Sequence, residues 1–349
     1  MISCVDLFCG VGGLTHGLEK SGINVVAGFD VDEACRFAYE SNNESCFYSR
    51  DVANLAGEEV SKHWESDDVS LLAGCAPCQP FSSYSRASRK TKADEKWELV
   101  DQFARLVKET RPDLVTMENV PQLVQHSVFQ EFLNSLEAYH VWYSIVECSE
   151  FGVPQTRKRL VVMASQFGPV QLETRRMSQT VTVDKAIGCL PSLQAGEADA
   201  SDALHHACDL SPLNLKRIRA SKPGGTWRDW PKTLRANCHN KESGETYPAV
   251  YGRMEWNQPA PTITTQCFGY GNGRFGHPEQ DRAITLREAA MLQTFPKTYK
   301  FLPKNKKAVF HVMGRLIGNA VPVQLAKAIG KQFLKHVVSH SEELANPKG

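Results

Sequence analysis

Ile2-Ser3-Cys4-Val5-Asp6-Leu7-Phe8-Cys9-Gly10-Val11-Gly12-Gly13-Leu14 stands at the start of the chain, and its reading decides the fold. Residues 2–8 form a short apolar run of the kind that makes a buried strand. Glycines at 10, 12 and 13 mark a tight turn, and residues 14–21 carry a helical pattern. In a strand–turn–helix unit the glycines let backbone approach a ligand closely, and the helix start offers free N–H groups. Residues 25–29 read as the next strand. Asp30 closes it, where an acidic side chain can accept hydrogen bonds from a ribose diol. The dinucleotide pattern Gly-x-Gly-x-x-Gly is not met, because position 15 is Thr. An adenosine-containing cofactor and a plain tight turn are both open at this point.

Working outward, short apolar runs alternate with helical patterns. Strands are expected at 69–73, 114–117, 141–146 and 160–164. Helices are expected at 34–41, 99–109 and 128–138. This order predicts an α/β fold built on a mixed, mostly parallel sheet with helices on both faces. From about Pro169 the texture changes to Gly, Pro, Asn, Ser and isolated tryptophans. Helical signal returns at 285–293 and 323–336. We therefore expect a catalytic and cofactor domain at 1–169 and an irregular recognition domain at 170–309. A segment at 310–349 is expected to return to the first domain.

Composition excludes other classes. The 349 residues suit about two domains at ~150 residues each. Lys plus Arg is 40 and Asp plus Glu is 39, so the chain is not a uniformly basic chromatin-type protein, although a local basic face is enough to bind nucleic acid. Met1 is followed at once by the first strand, which reads against a secretory leader. No apolar run approaches a membrane span. Eleven scattered cysteines, an odd number, read as reduced cytosolic thiols. A cytoplasmic location is the expectation.

Two further segments carry chemistry. Gly74-Cys75-Ala76-Pro77-Cys78-Gln79-Pro80-Phe81-Ser82 follows a strand directly, so Cys78 is held between prolines at the mouth of the sheet. Core filler and a CxxC redox pair compete with a nucleophile there. No metal site is expected, since His205, His206 and Cys208 have no standard ligand spacing. Met117-Glu118-Asn119 ends another strand, which puts Glu118 on the same sheet edge. In Gln155-Thr156-Arg157-Lys158-Arg159 the two arginines share a face if the segment is extended. A planar donor there suits a carbonyl or a phosphate.

Taken together the chain resembles the cytosine-C5 DNA methyltransferase family, of bacterial or phage type. The resemblance rests on six blocks in order. They are the glycine turn, Pro77-Cys78-Gln79, Glu118-Asn119-Val120, and Gln155-x-Arg157-x-Arg159. Then come Arg282 to Ala290 with Leu292-Gln293-x-Phe295-Pro296, and Gly318-Asn319-Ala320-Val321-Pro322. Two departures stand out: Cys75-Ala76 replaces the usual Gly or Pro, and Asp30 replaces the usual Glu.

The resemblance implies S-adenosylmethionine as methyl donor, with S-adenosylhomocysteine as product. It implies a covalent bond from Cys78 to C6 of a flipped-out cytosine, Glu118 at N3, Arg159 at O2, and Arg157 in support. Phe8, Gly10, Gly12, Gly13, Asp30, Val31, Asp51, Val52, Pro80, Asn319 and Val321 would bind the cofactor. Arg86, Arg89 and Lys90 lie in a loop that would close on DNA phosphates, and Gln266, Tyr270 and Arg274 would reach base edges. A basic stretch with Lys216, Arg217, Arg219, Lys222, Arg228, Lys232 and Arg235 would add to the DNA surface, while Trp227 and Trp230 there read as core. The implied partner is double-stranded DNA. No membrane partner is expected, and the enzyme would act as a monomer, with or without a restriction endonuclease of the same system. The same chemistry on transfer RNA, and a catalytically silent relative, are the alternatives.

Overall fold

The computed structural model describes residues 1–77, 98–173, 180–241 and 244–345. By their contacts the described residues fall into two compact units. One comprises Met1–Phe151, Lys158–Arg176 and Val321–Gly349, and the other comprises Gly152–Arg157 and Met177–Ala320. These bounds depart from the expected partition at Gly152–Arg157, which pairs with a later strand, and at residues 310–319, which pack on a neighbouring helix.

The first unit begins with β1 (Ile2–Leu7), α1 (Gly13–Ser21), β2 (Asn24–Asp30), α2 (Arg36–Glu40), β3 (Cys46–Ser49) and α3 (Gly57–Ser61). It continues with β4 (Val69–Gly74), α4 (Glu98–Thr110), β5 (Leu114–Asn119), α5 (Ser127–Asn134) and β6 (His140–Glu147). After the excursion that holds β7 (Gln155–Thr156), β8 (Lys158–Ser165) returns. The sheet order is β3-β2-β1-β4-β5-β8-β6. Neighbours from β3 to β5 pair in parallel, and β8 pairs antiparallel with both β5 and β6. This is a mixed, mostly parallel sheet, as the alternation of strands and helices predicts.

Alternate strand residues separate the two faces. Val5, Leu7, Leu72, Val115, Met117, Leu160 and Val162 join Phe103, Leu106, Phe129 and Phe132 of α4 and α5 in one buried cluster. On the other face Asp6 meets Thr15 of α1, and α1 packs along the last helix, α10 (Val323–Ala345). The chain runs outward from β1 to β3 and then crosses back to β4, so the strand order reverses between β1 and β4. Open α/β sheets place ligands at the carboxyl ends of the strands beside such a reversal.

The second unit is mostly irregular. Its elements are β7, α6 (Val183–Ile187), α7 (Pro212–Ala220), β9 (Ala260–Pro261), α8 (Leu286–Leu292) and α9 (Phe310–Asn319). Buried arginines replace regular sheet as its framework. Arg253, 5% exposed, donates to the carbonyls of Ile218, Ser221, His277 and Gln280 and pairs with Asp281. Arg282, fully buried, pairs through both Nη atoms with Glu288. Partnered in this way, a buried guanidinium satisfies many backbone carbonyls that no strand reaches. No helix among the described residues is long and apolar enough to cross a membrane.

Candidate active site

The glycine turn sits at the end of β1. Phe8 and Gly10 have left-handed backbone, φ 59° and 52°, and Gly12 has φ 85°. Cys9 N–H donates to the carbonyl of Phe29, which ties the turn to β2. Asp30 completes the tie: its Oδ2 accepts from Gly10 N–H at 2.9 Å and its Oδ1 accepts from Asp32 N–H at 2.8 Å. These bonds orient the Asp30 carboxylate at the end of β2, beside the glycine turn. Phe8 lies partly buried against the core, and Val31 leaves an apolar side chain 71% exposed beside Asp30. Asp51 caps the next turn through Ala53 N–H. Val52 is in the core at 2% exposure, which confines any ligand contact at this position to its main chain. Val321 is buried in the first unit, whereas Asn319 is exposed at the end of α9 in the second.

Beneath the turn lies a buried polar chain. Thr15 hydroxyl donates to Asp6 Oδ2 at 2.6 Å and lies 3.1 Å from the hydroxyl of Tyr39, which also bonds Ser45. Burial pushes the Asp6 carboxyl up to about 7, and the Thr15 hydrogen bond offsets part of that rise.

Across the switch point, β4 ends level with β1: Leu7 pairs with Gly74. Cys75 N–H then donates to the carbonyl of Leu7, and Asn119 Nδ2 donates to the carbonyl of Ala76. The turn toward Cys78 is thus anchored to β1 and β5. Glu118 is 3% exposed at the end of β5. Its Oε1 lies 2.9 Å from Arg159 Nε, and its Oε2 accepts from the Cys75 thiol at 2.9 Å. The antiparallel register of β8 brings Arg159 there, because Asn119 pairs with Leu160. Sequence reading placed Glu118 on this edge, and the resemblance implied Arg159 beside it; Cys75 was missed, since nothing in a turn's composition tells where its thiol points.

Arg157 goes elsewhere than the expected support of Glu118 or a phosphate. At 2% exposure it donates to the carbonyls of Ile263 and Gly318. Gln155 and Gln293 complete this hub: Gln155 Nε2 donates to Gln293 Oε1, and Gln293 Nε2 donates to the carbonyl of Ile317. These bonds fix the main chain that leads into Asn319.

A family model described as C-5 cytosine-specific DNA methylase matches residues 2–335. The chain belongs to this family. It is 49% identical over 336 residues to a type II methylase, M.HgiDII, of Herpetosiphon aurantiacus, covering 94% of each chain. It is 30% identical to the type II methyltransferase M1.HphI of Haemophilus parahaemolyticus, covering 96% of this chain and 87% of that one. Among solved structures, a putative DNA modification methyltransferase encoded in an Escherichia coli prophage superposes with TM-score 0.72 at 22% identity. That match covers 97% of this chain and all of the other. Membership makes the chain an enzyme of the DNA (cytosine-5-)-methyltransferase class.

Several expected site residues of the methylase, Cys78, Pro80, Arg86, Arg89 and Lys90, lie outside the described residues. Tyr270 corrects an expectation. Its ring is 3% exposed and its hydroxyl bonds Ser221 at 2.8 Å, so it cannot reach a base edge. It packs with Ile218 and Ala283 instead. Arg274 donates to the carbonyl of Gly225 at 2.6 Å, while the Gln266 side chain is exposed. The glycines of this loop also serve its own packing: a Cβ at Gly269 would lie 2.3 Å from Asn272 Nδ2. In the basic stretch Arg217 is buried between the rings of Trp230 and Tyr251. Lys216, Arg219, Lys222, Arg228 and Lys232 are exposed. Trp227, stacked 4.2 Å from His239, and Trp230 are core residues, as their sequence context suggested.

Proposed function

We propose that this methylase transfers a methyl group to C5 of a flipped-out cytosine in double-stranded DNA through a covalent Cys78–C6 intermediate. The observation that carries the reading is the Glu118–Arg159 pair, nearly buried at the strand edge where the turn to Cys78 begins. A carboxylate and a guanidinium side by side match the N3 and O2 edge of a pyrimidine. Cys78 thiolate attacks C6, and the electron pair displaced toward N3 takes up a proton that Glu118, in its acid form, donates. Arg159 stabilises charge developing on O2. C5 becomes nucleophilic and takes the methyl group; loss of the C5 proton then expels the Cys78 thiolate and restores the ring.

S-adenosylmethionine, when bound, supplies the methyl group. The residues at the end of β1 fit it. No atom of the described residues lies within 4 Å of a Cβ added at Gly10, the Asp30 carboxylate stands at the end of β2 for the ribose, and Phe8 and Val31 offer apolar surface to the adenine. Asn319 and Val321 would serve the methionyl end. Arg157 acts as a positioning residue for Asn319 through the Gly318 carbonyl. DNA contacts fall to Arg86, Arg89, Lys90, Gln266, Arg274 and the exposed lysines and arginines of 216–232. The enzyme works as a monomer and needs no contact with a restriction endonuclease.

DNA carrying 5-fluorocytosine at the target tests the reading, because C5 then holds no removable proton and the adduct cannot eliminate. With S-adenosylmethionine present, a denaturation-resistant protein–DNA adduct is expected for the intact chain and none for Cys78→Ser. The serine variant should keep its DNA affinity. Turnover by Cys78→Ser would exclude the covalent route.

A further inference from the structure

We propose that Cys75 is a positioning residue that fixes which oxygen of Glu118 meets the base. This rests on the reading of Glu118 as the base-contacting carboxylate. The two oxygens of Glu118 are engaged differently: Oε2 accepts from the Cys75 thiol and Oε1 faces Arg159 Nε, each at 2.9 Å. The last torsion of Glu is broad; among the described residues Oε1 has an ion-pair neighbour but no hydrogen bond, so the thiol bond to Oε2 is the directional restraint on the carboxylate plane. The thiol is itself placed by backbone, because Cys75 N–H is bonded to Leu7 and Ala76 carbonyl to Asn119. Asn119 in turn follows Glu118 on β5, so thiol and carboxylate are referenced to the same strand ends.

This arrangement matters when the base enters. Arg159 then engages O2, which takes the ion-pair neighbour from Oε1 at the moment Glu118 must be in place. Cys75 stays on Oε2, so the acid form of Glu118 presents the proton on Oε1 to N3 without losing its orientation.

The test uses the full chain, S-adenosylmethionine labelled in its methyl group, and plasmid DNA from a host without cytosine methylation. Cys75→Ala should lower the single-turnover rate about tenfold, the scale of one hydrogen bond to a charged group. KM for DNA and cofactor should hold within about twofold, because the lost restraint acts on the reacting state. The unfolding midpoint should fall by a few degrees, because Glu118 Oε2 loses its partner in the resting fold as well. Cys75→Ser, which keeps a donor, should recover most of the rate and of the midpoint. A Cys75→Ala enzyme at the wild-type rate overturns the proposal. So does a rate loss that Ser fails to restore. Glu118→Gln separates the two readings: if it turns over normally, the role of Glu118 itself is wrong. If Glu118→Gln is impaired while Cys75→Ala is not, only the role of Cys75 falls.

Discussion

Gly10 carries two constraints that point the same way. Its φ of +52° is in the left-handed region, and an added Cβ would meet no atom of the described residues within 4 Å, beside Asp30. Gly10→Ala should therefore cost only the ~1 kcal/mol of a left-handed alanine and lower the unfolding midpoint by a few degrees. Its methyl group would project where the cofactor must lie. We expect KM for S-adenosylmethionine to rise by roughly tenfold or more with kcat little changed at saturation, measured by initial rates and by calorimetric titration. A large midpoint drop with unaltered KM would make the glycine structural. At this scale the sequence was informative where a residue's place followed from a strand end, as for Gly10, Asp30, Glu118 and Arg159. It was uninformative where the partner is distant in sequence. Tyr270 is buried because Ser221 takes its hydroxyl, and Arg157 is drawn away by the carbonyls of Ile263 and Gly318.

Helix α1 positions the glycine turn, and α10 positions α1. The two cross so closely at Gly17 that a Cβ there would lie 2.3 Å from Ala326 Cβ and 2.5 Å from the Val323 carbonyl oxygen. Backbone cannot yield as a flexible side chain can, so the helices would have to separate. Gly17→Ala should destabilise the first unit by about 1–3 kcal/mol, the usual cost of overpacking. It should also weaken cofactor binding, because the turn rides on α1. Denaturant unfolding and cofactor titration check both effects. Ala326→Gly should restore only part of the stability, since the Val323 carbonyl remains; full restoration would mean that the side chain alone was in the way. Element by element, long periodic segments such as α4 and α10 were legible, as were the buried strands. Short ones were not. Strand β3 spans Cys46–Ser49 and is defined only by its pairing with β2. Helix α7 does have a start signal, Ser211 capping Asn214 N–H with Pro212 at the first turn. Its basic residues drew the reading toward a DNA surface instead. In α9, Phe310, Met313, Gly314 and Ile317 repeat at helical spacing, and the following Gly-Asn block masked them.

For the whole molecule, the two units should answer to pH in opposite directions. In the first, burial raises Asp6 to about 7 and Glu19 to about 7. These carboxyls are neutral in the fold but ionised in the unfolded chain above its ordinary carboxylate range. Their stabilisation is complete in acid and is lost as pH rises toward 7. In the second unit, burial lowers His277 to about 4, and its Nδ1 accepts the N–H groups of Glu279 and Gln280. Protonation would turn that acceptor into a donor. The contribution of His277 is complete above about 6.5 and is lost as pH falls toward 4. Asp6 and His277, the buried groups, each carry on the order of 3 kcal/mol across their windows, and the half-buried Glu19 carries less because solvent screens it. Between pH 7 and pH 5 the first unit should gain stability while the second loses it. Calorimetry should thus show two transitions shifting in opposite directions, or, if the units melt together, one midpoint that is nearly flat. Asp6→Asn should remove the Asp6 share of the first unit's gain and leave that of Glu19. His277→Asn, whose side-chain oxygen can still accept from Gln280, should remove the loss of the second. The two variants must tilt the midpoint–pH curve in opposite senses; tilts of the same sign would refute the assignment of opposed titrations to the two units.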